Sequence, residues 1–258
     1  MVTQAIIPLA GLGTRLLPLS SVIPKELLPI NGKPNLEYIL DECLQAGIKQ
    51  FIFVVPKNRP SIKKYFFNDN FYKKILKKKK KDKRLKKVYK RLKKFQKMIK
   101  FVYQNKPEGT GHAVLQCKKY LKGSHFLMLL ADDLIVKKNC SKEMISLHNK
   151  TKGSIIATRK VERKTVSRWG ILGFKNKAKN SFLINEVIEK PKLSEAPSNY
   201  AIIGRYILPM KILSVLKNQG KGKGGEIHIT DAIKTLVKRN EKFYGNIFKG
   251  KYIDCGTL

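Results

Sequence analysis

The chain has 258 residues and carries 55 Lys and Arg against 18 Asp and Glu, a formal net charge of +37 at pH 7. A chain this long buries well over half of its unfolded surface in one core and needs neither disulfides nor a structural metal. With 42% hydrophobic and 9% aromatic residues it is not intrinsically disordered. Cys43, Cys117, Cys140 and Cys255 form no CxxC pair and have no His at zinc-ligand spacing, which excludes a zinc knuckle or disulfide framework and points to a reducing cytoplasm. No apolar run approaches the roughly 18 residues of a membrane span.

Residues 4–9 read as a buried strand, too short for a helix and followed by a Gly-containing loop. From Pro34 to Ala46 the apolar positions Leu36, Ile39, Leu40, Cys43 and Leu44 keep helical spacing, with Pro34 in the first turn and Gly47 as the stop. Residues 50–55 form a second strand, and the order strand, Gly loop, helix, strand predicts a parallel sheet with crossover helices. Residues 73–100 hold 17 Lys or Arg and Asp82 as the single acid. In this tract Leu85, Val88, Leu92, Phe95 and Ile99 recur in steps of three and four, so it reads as one amphipathic helix. Strands follow at 101–104, 126–130 and 154–159, with a helix over 112–121. The second half is β-rich at 171–174, 182–188 and 200–208, then starts a helix at Thr230, a candidate cap, and Asp231. No internal repeat or linker divides the chain. It is expected to be a single domain over 1–258, with the second half a subdomain on the same sheet.

Gly11, Gly13, Thr14 and Arg15 follow the first strand directly, where glycine lets backbone approach a phosphate or base. This is neither a dinucleotide fingerprint nor a Walker loop, and alone it fits an ordinary tight turn. The next segment, Pro24-Lys25-Glu26-Leu27-Leu28-Pro29, adds a cation fenced by prolines. Two cations beside a Gly-rich turn suit a triphosphate, whose oxygens must be neutralised before a nucleophile can approach. Asp132 and Asp133 come just past the apolar run 126–130, at the carboxyl end of a central strand where open α/β sheets bind ligands. The four histidines lack any HExxH or nucleophile context, so zinc and covalent mechanisms have no support.

The run Ile7 to Arg15, followed by Pro24 to Pro29, resembles the N-terminal signature of the bacterial UTP-glucose-1-phosphate uridylyltransferases, within the sugar-phosphate nucleotidyltransferase family. Residues 104–114, 166–172, 187–191, 196–208, 225–233 and 254–256 resemble that family in order, so the likeness spans almost the whole chain. It implies an α/β fold with a Rossmann-like mixed, mainly parallel sheet flanked by helices and a β-rich sugar-binding subdomain. The nucleotide part would occupy about 1–135 and the sugar-phosphate part about 136–258.

The resemblance also implies roles. Ala10, Gly11, Gln104 and Gly109 match the uracil site, and Gly13 and Thr14 belong to the same nucleotide loop. Arg15 matches the residue on the β- and γ-phosphates, and Lys25 the one on the α-phosphate. Asp132 and Asp254 match a metal pair for Mg²⁺, with Asp133 in reserve. Gly170 and Glu189 match sugar contacts and Lys190 the contact to the sugar phosphate, with Trp169 standing where the family commonly has Tyr. The implied partners are UTP and glucose 1-phosphate, with pyrophosphate as product. Neither a specific nucleic acid nor a membrane span is expected.

Uridylyl and thymidylyl transfer share this loop, lysine and aspartate logic, so the residues alone do not separate the bases. The lysine tract allows a reading of another class, polyanion binding to nucleic acid or a membrane surface, against its origin in an A- and T-rich genome. A catalytically silent relative is a third reading, opposed by Arg15, Lys25, Asp132 and Lys190. The chain ends just after Asp254-Cys255-Gly256, where the family normally continues through a helical segment implicated in subunit pairing; its expected absence leaves homo-oligomerisation open.

Overall fold

The computed structural model describes residues 1–256. In chain order the strands are β1 (Gln4–Pro8), β2 (Pro29–Ile30), β3 (Lys33–Pro34), β4 (Gln50–Val55), β5 (Ile99–Tyr103), β6 (His125–Leu129), β7 (Asp133–Val136), β8 (Ser154–Lys160), β9 (Gly170–Lys177), β10 (Ser181–Glu189), β11 (Tyr200–Pro209), β12 (Phe243–Ile247) and β13 (Lys251–Asp254). The helices are α1 (Asn35–Gln45), α2 (Ser61–Phe67), α3 (Asp69–Lys78), α4 (Lys83–Gln96), α5 (Thr110–Gln116), α6 (Cys140–Thr151), α7 (Ile212–Asn218) and α8 (Ile229–Lys238). Among the described residues no helix is long and apolar enough to cross a membrane.

Nine strands form one sheet in the order β5-β4-β1-β6-β11-β8-β12-β10-β9. The half made of β5, β4, β1 and β6 is parallel, as the strand–helix alternation predicts. Beyond β6 the sheet is mixed: β11 runs antiparallel to β6 and β8, β12 runs parallel to β8, and β10 and β9 close the far edge antiparallel. Alternation along β1 sends Ala5 and Ile7 to one face and Ile6 to the other, so each face carries its own core. One core lies under α1, α2, α4 and α6; the other lies under α5, α7 and α8.

The lysine tract departs from the expected single helix. It breaks after Lys78 and restarts at Lys83, because Asp82 caps the second helix by accepting the Leu85 amide at 2.8 Å. Leu92 and Phe95 keep the predicted stripe and are buried, whereas Ile99 belongs to β5. Thr230 is also not a cap. It sits inside α8 after the N-cap His228, and its hydroxyl donates to Glu189 Oε2 at 2.9 Å.

Where the parallel and mixed halves meet, Arg205 of β11 is fully buried. Its Nε lies 3.3 Å from both Glu42 carboxylate oxygens on α1, and its second terminal nitrogen donates to Oε2 at 3.0 Å. Its other terminal nitrogen donates to the carbonyls of Leu130 and Gly204 at 3.1 and 3.2 Å. Ser141, at the start of α6, donates its amide and hydroxyl to Glu42 Oε1 at 3.0 and 2.6 Å. Removing one partner of a buried ion pair strands the other. Arg205→Leu is therefore expected to lose roughly 3–5 kcal/mol in urea unfolding, with much of it recovered when Glu42→Leu is added. A single-variant loss below about 1 kcal/mol would show that the pair does not hold this junction.

Candidate active site

A cleft opens at the carboxyl ends of β1, β5 and β6. Three adjoining cavities of about 220, 200 and 480 Å³ make it up, joined through Leu130 and through shared Lys25, Asp132 and Arg15. Every site residue expected from sequence lines one of the three. Ala10, Gly11, Lys25, Gln104, Gly109 and Asp132 line the first. Arg15, Asp132, Gly170, Glu189 and Asp254 line the second. Gly11, Gly13, Thr14, Arg15, Lys25, Glu189 and Lys190 line the third.

The loop after β1 turns at Gly13, whose φ of 67° is a left-handed conformation. A Cβ there would stand 3.2 Å from the Ser20 Cβ. The Gly13 carbonyl accepts the Ser20 hydroxyl at 2.7 Å and the Leu16 amide at 2.9 Å, which pins the short turn Thr14–Leu16 and holds Arg15 at the cleft mouth. A second short turn, Lys25–Leu27, carries the next cation inward.

Lys25 Nζ is 2.5 Å from Asp132 Oδ2, joining segments 107 residues apart. Burial alone would drive the Lys25 ammonium toward neutrality, but Asp132 and Glu26 hold its pKa above the ordinary value. Burial would likewise raise the Asp132 carboxyl, yet the Lys25 charge and hydrogen bond keep it below the usual carboxylate range. Both groups are therefore charged at neutral pH. Asp133 points elsewhere: its Oδ2 accepts the Gly204 amide at 3.0 Å and its Oδ1 the Tyr252 hydroxyl at 2.6 Å. Burial and the neighbouring Asp132 raise its pKa. With both oxygens taken, Asp133 serves the framework.

Asp254 reaches the cleft because β13 pairs with β7, placing Asp254 opposite Asp133. The Cys255 amide donates to the Asp132 carbonyl at 2.8 Å, locking the two strand ends together. A Cβ built on Gly256 would lie 3.2 Å from both Asp132 Oδ2 and Asp254 Oδ1 and 3.5 Å from an Arg15 terminal nitrogen. Two carboxylates thus converge on one small space that a side chain at Gly256 would fill. Among the described residues no cluster of three or more acidic, His or Cys side chains could hold a metal by itself. Asp132 Oδ2 accepts from Lys25 and Asp254 Oδ1 accepts the Gly256 amide at 2.8 Å, so each carboxylate offers its other oxygen to a hard divalent cation that takes its remaining ligands from water and phosphate.

At the far end of the first cavity, Gln104 is buried, only 4% exposed. His112, which carried no chemistry in the sequence reading, bridges the amides of Gln104 and Gln116 at 2.9 and 2.8 Å. One arm of the Gln104 amide is thereby fixed and the other left for a base edge. Gly109 has φ 98°, and a Cβ on it would meet the Ile227 carbonyl at 2.7 Å, so the wall there closes only on a glycine. At the opposite end Gly170 pairs with Glu189 across β9 and β10. A Cβ on Gly170 would stand 3.1 Å from Glu189 Oε2. Lys190 follows with its Nζ 3.9 Å from Glu189 Oε1 and its amide donating to the Trp169 carbonyl at 3.0 Å. Trp169 sits edge-on to Tyr252.

Glu26, Tyr206, Glu226 and Thr230 also line the cleft, though none was expected there from sequence. Of these Glu26 had a signal, an acid between Lys25 and an apolar pair. It is 2% exposed, and among the described residues its Oε1 has no hydrogen-bond partner. Burial lifts its carboxyl to about 7, with Lys25 pulling the other way.

A nucleotidyl transferase family model matches residues 4–258. UTP–glucose-1-phosphate uridylyltransferase 2 of Staphylococcus saprophyticus is 38% identical over 256 residues, covering 99% of this chain and 88% of that protein. A UDP-glucose pyrophosphorylase solved with UDP-glucose superposes with a TM-score of 0.87 at 34% identity, over 100% of this chain and 94% of the other. The UTP-bound enzyme from Acinetobacter baumannii gives 0.88 at 33% identity, over 100% and 90%.

Because the folded carboxyl of Glu26 titrates near 7 and the unfolded one near 4.5, the native state holds the extra proton between those values. Its contribution to stability therefore falls as pH rises through that window. Glu26→Gln removes this loss. The variant is expected to match wild type near pH 4.5 and to exceed it by up to about 3 kcal/mol above pH 7. Urea unfolding as a function of pH checks this; parallel profiles for the two proteins would refute it.

Proposed function

The chain belongs to the nucleotidyl transferase family, and from that membership we propose that it transfers the uridylyl group of UTP to glucose 1-phosphate, giving UDP-glucose and pyrophosphate. The observation that carries this reading is the convergence of Arg15, Lys25, Lys190, Asp132 and Asp254 on one cleft, with a base-sized recess at one end and a Gly-Glu recess at the other.

The base lies against Ala10, Gly11 and Gly109 with its edge on Gln104. The triphosphate runs along Gly13, Thr14 and Arg15, and Lys25 meets the α-phosphate. Glu189 accepts from sugar hydroxyls over Gly170, whose missing side chain leaves room for the ring, and Lys190 meets the sugar phosphate as a point charge. An oxygen of that phosphate then attacks the α-phosphorus in line, and the bond to the β-phosphate oxygen breaks, releasing pyrophosphate. The attacking monoester is already ionised at neutral pH, so no protein base or nucleophile is required. The chain's own contribution is alignment and fixed positive charge where negative charge moves.

Enzymes of this family generally use a divalent metal. We assign Mg²⁺ to Asp132 and Asp254, where its chemistry is charge neutralisation on the triphosphate oxygens. We divide the chain into a nucleotide part, about 1–135, and a sugar-phosphate part, about 136–258. Asp254 and Gly256 from the second part face Arg15 from the first. We place the reaction in the cytoplasm, in keeping with four free cysteines, three of them buried.

Pyrophosphate release is expected with UTP and glucose 1-phosphate, dependent on Mg²⁺. Release with dTTP but not UTP would move the assignment to thymidylyl transfer. Lys25→Ala is expected to lower turnover roughly 100- to 1,000-fold while leaving a cooperative thermal transition; a near wild-type rate would remove Lys25 from the chemistry.

A further inference from the structure

The transfer site makes no use of the lysine tract, and we propose that the α3–α4 hairpin is a docking surface for an anionic lipid bilayer. Of the 17 cations between residues 73 and 100, 15 are exposed. The two that are partly buried are the two that are paired. Arg91 reaches Glu37 and Asp41 of α1 at 2.9 and 2.7 Å, and Lys93 reaches Asp69 at 2.9 Å. Among the described residues none of the other 15 forms an ion pair within 4.0 Å. The carboxylates that neutralise this tract are spent anchoring α4, and its outer face carries uncompensated charge along two helices of roughly 15 and 21 Å.

This face also carries apolar groups. Helix α3 has no buried residue. Phe71 near its start is 52% exposed, and Phe67 at the end of α2 is 38% exposed. Helical spacing sets Lys74 and Lys78 on the same stripe as Phe71. An aromatic collared by lysines on a surface helix is what lies at the boundary of headgroups and acyl chains. The cations themselves favour lipid over nucleic acid. Arg84 is the one exposed arginine, so the tract lacks the planar forks that grip phosphates in fixed geometry, while lysine point charges suit a fluid array of headgroups. Tyr72 and Tyr89 stack on each other with centroids 5.6 Å apart, which removes them as platforms for bases.

The test is co-sedimentation at about 0.15 M salt with phosphatidylcholine vesicles, with and without phosphatidylserine. Wild type is expected to bind only the phosphatidylserine vesicles. Replacing the five lysines 77–81 by Gln should weaken binding roughly tenfold or more. Replacing Lys118, Lys175, Lys179, Lys217 and Lys238 by Gln lowers the net charge equally and should change binding less than about twofold, and Phe71→Ser should weaken it roughly threefold. All three variants should keep wild-type pyrophosphate release, which shows that they are folded. Equal losses in the two five-lysine variants would reduce the effect to net charge and overturn the proposal. So would absence of wild-type binding to phosphatidylserine vesicles, or tract-dependent capture of a single-stranded RNA without vesicle binding.

Discussion

A guanidinium sealed from water governs how this cleft is built. Arg205 lies between the parallel and mixed halves of the sheet, and its hydrogen bonds end on Glu42 and on the carbonyls of Leu130 and Gly204. Leu130 is two residues before Asp132, and the Gly204 amide is a partner of Asp133. The position of the acidic strand end is therefore set from behind by a charge that cannot move without losing its partner. Such a pair contributes little net stability compared with a well-packed apolar substitute, because desolvation offsets the Coulomb attraction. Its effect is on placement: few other arrangements satisfy the guanidinium, the carboxylate and two backbone carbonyls together.

The same logic sets the charge state at the cleft. Lys25 and Asp132 each hold the other ionised against burial, and neither would be a reliable charge there alone. An anion arriving beside Lys25 would share an ammonium that is already aimed, and its negative charge would take over part of what Asp132 supplies. Glu26 is the exception. Among the described residues its Oε1 has no hydrogen-bond partner, and burial lifts its carboxyl to about 7. Each proton that Glu26 holds removes one negative charge from beside Lys25.

What the sequence disclosed follows the range of each interaction. The first strand, α1 and β4 were legible because their periodicity is local, and Gly13 was legible because its turn is. The far-apart residues of the cleft became legible together only through resemblance, since nothing local in Gln104 or Asp254 announces a shared pocket. Partners fixed by tertiary contact stayed hidden. His112 gives no hint that it anchors Gln104, and Arg205 reads as one more cation in a basic chain until β11 buries it against Glu42, 163 residues away in sequence. The lysine tract misled for a different reason. Its apolar stripe from Leu85 to Phe95 lies within α4 alone, and the signal for the break before it was the lone Asp82, which competes for the backbone as a cap.

Lysine thus appears in two physical regimes. As Lys25 in the cleft it is paired and largely desolvated, where mobile ions screen little of its interaction. On α3 and α4 it is exposed and mostly uncompensated, where a Debye length of about 8 Å at physiological salt screens charges beyond their near neighbours. Raising salt therefore acts on the two regimes unequally, weakening long-range attraction to the outer face well before it loosens the Lys25–Asp132 contact at 2.5 Å. The excess of positive charge leaves Lys25 little affected, because this cation is largely buried and already matched by Asp132.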